Sequence, residues 1–67
     1  MIIEKEDLID KHWYHVRLGI GPEVTPLQHW STYGPPNTAW FIGPKRSVHI
    51  SRIIKHLSPD DYPEYYL

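Results

Sequence analysis

Along the first third of the chain the apolar positions support two periods at once. Tyr14, Val16, Leu18 and Ile20 alternate with polar neighbours as on a strand, while Tyr14 and Leu18 stand four apart as on one helix face. The flanking residues tip the reading to a helix. The Asp10 carboxylate can accept from the open N–H groups of a first turn, and Gly19 can close the last. Thr25 followed by Pro26 is a second helix start, because proline at the first helical position gives up only an N–H that would be unpaired anyway. That second helix carries Leu27 and Trp30 and ends at Gly34-Pro35-Pro36. The runs "TAWFI" and "SVHIS" then flank "GPKR", a hairpin signal. Ile50, Ile53, Ile54 and Leu57 return to helical spacing until Ser58-Pro59.

The order helix, helix, two-stranded wing, short helix predicts an α+β fold, a small winged helix-turn-helix. Its core region is residues 8 to 57, and an acidic tail occupies 58 to 67. A chain of 67 residues makes one domain, 1–67, since at this size only about 60% of the unfolded surface is buried. It has no cysteine for a disulfide or a thiolate zinc site, so three Trp, five Tyr and one Phe are the natural material of the core. Trp30 is expected there. No apolar run reaches the roughly 20 residues that cross a bilayer, and "MIIEKEDLID" lacks the basic start and apolar stretch of a signal peptide. The expectation is a soluble, cytoplasmic protein with no membrane partner.

The formal net charge of −1 hides a segregation. Residues 1 to 10 carry Glu4, Glu6, Asp7 and Asp10 against Lys5, a balance of −3, and the tail carries Asp60, Asp61 and Glu64, another −3. Between them Lys11, Arg17, Lys45, Arg46, Arg52 and Lys55 face only Glu23, a balance of +5. A basic middle between acidic ends suggests a polyanionic partner.

The segments "LIDKHWYHVRLGIGP", "LQHW", "GPP", "WFIGPKRSVHIS" and "RIIKHL" together resemble the small winged-helix excisionase and AlpA-type regulators, relatives of the MerR DNA-binding domain. The resemblance covers about residues 8 to 57 and lies in order and spacing. It implies core places for Tyr14, Leu18, Ile20, Leu27, Trp30, Ile42, Val48 and Ile50. It also implies a DNA-bending accessory role in site-specific recombination or a small transcriptional regulator, of phage or mobile-element origin in a bacterial host cell. Double-stranded DNA is then the ligand, an integrase a partner, and side-by-side self-association on DNA a means to affinity. The chain departs from the pattern in a longer link before Leu27, in Pro26, in His15, in Phe41 and in a short final helix.

On that fold the second helix would present Thr25, Gln28, His29 and Thr32 to the major groove, with Gln28 able to pair with both N6 and N7 of adenine. Lys45 and Arg46 at the wing tip would meet phosphates, with His49 on the return strand. The five histidines form no HExxH, and no cysteine or carboxylate cluster completes a metal shell. Ser, His and Asp stand in no catalytic arrangement, so neither enzyme activity, metal nor cofactor is expected. The competing reading is a phage-encoded protein-binding inhibitor or adaptor with a small SH3-like or winged-helix fold, and the strand-like alternation from Tyr14 to Ile20 is the feature that supports the SH3-like form.

Overall fold

The computed structural model describes residues 3 to 63, and among them there is no α-helix. Five strands, β1 (Trp13–Val16), β2 (Thr25–Ser31), β3 (Thr38–Phe41), β4 (Val48–His49) and β5 (Ile53–His56), form one antiparallel sheet in the order β4-β3-β2-β1-β5. Three 3₁₀ turns, Lys5–Asp7, Ile50–Arg52 and Pro59–Asp61, punctuate it. No helix among the described residues is long and apolar enough to cross a membrane.

This overturns the winged helix-turn-helix. The first expected helix is β1 and its loop, the second is β2, and the last is β5. Of the expected elements only the wing hairpin keeps its form, with Thr38 opposite His49 and Ala39 opposite Val48. The end signals were genuine, but they serve turns. Asp10 precedes Lys11, which turns the chain at φ 69°, and Gly19 lies in the open β1–β2 loop. Pro26 is tolerated inside the sheet because of where its missing N–H would point. The Gln28 carbonyl accepts from Ile42 on the β3 side, so residue 26, two positions away, also faces that side, and β3 has already ended at Phe41. Opposite His15, Pro26 therefore forfeits no ladder bond to β3.

Alternation decides the faces. Tyr14, Val16, Leu27, Ala39, Phe41, Val48 and Ile53 point inward and are buried, joined by Leu8 and Ile50. Tyr14 and Phe41 meet edge to face at 6.1 Å. His29, expected on a DNA-reading helix, is fully buried between these rings, 5.5 Å from Phe41. Its Nδ1 lies 3.4 Å from the Asp10 carboxylate, yet neither ring nitrogen makes a hydrogen bond. Several residues to which the resemblance gave core places lie elsewhere: Ile20 and Ile42 are exposed, and so is Trp30, at 63%. Trp30 follows the inward His29 and so faces outward, at a place where β2 spends three residues, His29 to Ser31, against Phe41 and Trp40 on β3.

Candidate nucleic-acid interface

Val16 of β1, Thr25 of β2 and Ile53 of β5 bring their strand ends to one end of the sheet. There the loop of residues 17 to 24 gathers three arginines from separate stretches of chain. The Arg17 N–H donates to the Arg52 carbonyl at 2.8 Å, which fixes the start of β5 beside the end of β1. Arg52 Nη1 donates to the Gly19 carbonyl at 2.8 Å, and Arg46 Nη2 to the neighbouring Leu18 carbonyl at 3.4 Å. Two guanidiniums from opposite sides of the sheet thus converge on adjacent peptide groups. Arg17 immediately precedes Leu18 in the chain, and its Nε is buried without a hydrogen-bond partner.

Among the described residues none of these guanidiniums lies within ion-pair distance of a carboxylate. The positive charges gathered here outnumber the one carboxylate of the loop, Glu23, so they raise each other's free energy and an anion would relieve it. The loop also frames an open cavity of about 420 Å³ lined by Leu18, Gly19, Gly21, Pro22, Glu23 and Thr25. Each guanidinium that gives one N–H to a carbonyl keeps others free to fork onto phosphate oxygens.

The residues expected to read DNA separate in the structure. Thr25, exposed, is at this end, and so is Arg46, which folds back onto Leu18 beside the exposed Lys45. Gln28 points outward from β2 but is tied by its amide to the Lys11 carbonyl at 2.9 Å. His29 is in the core and Thr32 lies past the far end of β2. The His49 ring accepts from the Ser51 N–H at 3.1 Å and so caps the turn Ile50–Arg52. With no recognition helix, these side chains share no groove-reading surface. Arg17 and Arg52 were assigned no role from sequence; the only signal for them was the excess of positive charge in the middle of the chain.

The remaining histidines include one pair. His12 Nδ1 and His56 Nε2 lie 3.0 Å apart, at hydrogen-bond distance, and the His56 ring stacks on Tyr14 at 4.6 Å. Burial of that ring face, then the neighbouring His12, holds the His56 pKa below its usual value. Burial likewise pushes the Tyr14 hydroxyl up, against the backbone N–H that Ile9 donates to it. Among the described residues no group of three or more His, Cys, Asp or Glu could hold a metal ion.

Comparison with protein-family models, with curated proteins and with solved structures returns no match for this chain.

Proposed function

We propose that the protein is a small DNA-binding module that docks on the phosphate backbone of the duplex through the β1–β2 loop, by Arg17, Arg46 and Arg52 with Lys45 beside them. The observation that carries this reading is the convergence of the Arg46 and Arg52 guanidiniums on the Leu18 and Gly19 carbonyls, next to Arg17 in the same loop, with none of the three in an ion pair among the described residues. Phosphate contacts position a protein on DNA without reading sequence. The reading therefore ends at backbone binding, and an accessory role beside a recombinase or a regulator is what such binding would serve. No reacting group is invoked.

Titration of a fluorescent duplex at several salt concentrations tests it. Each neutralised phosphate contributes roughly 0.9 to the slope of log K against log salt. Replacing Lys45 and Arg46 by Gln is expected to lower the slope by roughly two, and further replacement of Arg17 and Arg52 by another two, with the far-ultraviolet spectrum unchanged. Absence of any salt-dependent duplex binding by the unaltered protein rules the reading out.

A further inference from the structure

A chain of this size needs its aromatic rings inside, yet Trp30 is 63% exposed and Tyr33 87% exposed. Trp30 meets Trp40 of the neighbouring strand with ring centroids 6.4 Å apart and planes at 78°. Two indoles at nearly a right angle form a corner. Successive bases of a single strand stack on flat ring faces. A corner instead receives a compact ridge, and a prolyl ring on an extended backbone is such a ridge. A polyproline II segment has no internal hydrogen bonds, so its carbonyls are free to accept from an indole N–H.

The surroundings of the corner select the sign of the ligand. Trp40 Nε1 lies beside Gly34, where a β-carbon would come within 3.7 Å of it. The carbonyls of Gly34 and Pro35 accept from Lys5 Nζ at 3.5 and 3.0 Å. Lys5 opens the turn Lys5–Asp7, so this bond holds the exposed Glu4, Glu6 and Asp7 against the β2–β3 turn while engaging the one cation among them. That neighbourhood repels phosphate and attracts a basic side chain. It is also remote from the arginines: Trp30 lies five positions along β2 from Thr25, roughly 17 Å at 3.4 Å per residue.

From these observations we infer that the Trp30–Trp40 corner, with Tyr33 at its rim, is a docking site for a proline-containing extended segment of a partner protein that carries a basic residue beside its prolines. The bulge at Trp30 shapes the site, since it puts Ser31 rather than Trp30 opposite Trp40 and so offsets the two outward rings from direct opposition. The site is independent of the DNA-binding reading and stands or falls without it.

The probe is a synthetic ten-residue proline-rich peptide with a single lysine, added to ¹⁵N-labelled protein while the indole N–H resonances are followed. Saturable shifts of the Trp30 and Trp40 indoles are expected, with the Trp13 indole unmoved. Trp30→Ala abolishes them without loss of the folded spectrum, and exchanging the peptide lysine for glutamate weakens binding about tenfold through the acidic turn. The arginine variants described above leave peptide binding unchanged, so the two readings fail separately. No shift at millimolar peptide overturns the inference. So do equal affinity for the lysine and glutamate peptides, or an oligothymidine that shifts the same indoles where the peptide does not.

Discussion

At the scale of single residues the structure reverses the value of two large rings. Trp30, which composition places in the core, stands on the surface, while Phe41 is 1% exposed and wedged between Tyr14 and His29. Trp30→Ala is therefore expected to change stability by no more than about 0.5 kcal/mol, as for other surface substitutions. Phe41→Ala is expected to cost about 3 to 5 kcal/mol, enough to unfold a domain with little in reserve. Thermal melts of the two variants side by side decide the matter; an unfolded Trp30→Ala would return that ring to the core. His56 adds a pH dependence. Its folded pKa lies below the unfolded value, so the unfolded chain takes up the proton first. Stability is then complete above about pH 6.5, the ordinary histidine value, and declines as pH falls through the window beneath it. His56→Gln removes that decline, and urea titrations at several pH values show whether the slope disappears.

At the scale of elements, what was legible depended on how local the deciding interaction is. The β3–β4 hairpin is set by its own turn residues, and its "GPKR" loop could be read directly. The alternation of Tyr14 and Val16 was equally visible, and it is the pattern the sheet uses. The helix reading prevailed on Asp10, Gly19 and Thr25-Pro26, whose preferences are satisfied as well by turns and by a strand position whose N–H side is vacant. Nothing nearby in sequence reports that vacancy, because it depends on where β3 ends. The bulge at Trp30 is hidden for the same reason: alternation alone sends Trp30 outward, but the near-perpendicular meeting with Trp40 requires the pairing of β2 with β3. Likewise the basic character of residues 11 to 57 was plain, while the meeting of Arg17, Arg46 and Arg52 on one loop depends on contacts 28 to 35 residues apart in the chain.

At the scale of the whole molecule, β1 lies between β2 and β5, and β5 comes from the far end of the described chain. Arg17 to Arg52, Val16 to Ile53 and Leu57 to Trp13 are all links across more than thirty residues. Without β5 the inner face of Tyr14 and Val16 lies open along one side and Ile53 and Leu57 leave the core. A chain ending at residue 52 is expected to remain unfolded by circular dichroism and to show no cooperative melt; a folded truncation would mean that the four remaining strands suffice. The same placement of β5 governs how the protein is made. Synthesis runs at about 5 to 20 residues per second, and for most of that time β1 emerges without one of its two neighbours. The first four strands can pair in the order they emerge, but β1 keeps one edge open, with Tyr14 and Val16 beside it, until residue 57 is out and β5 can close the sheet.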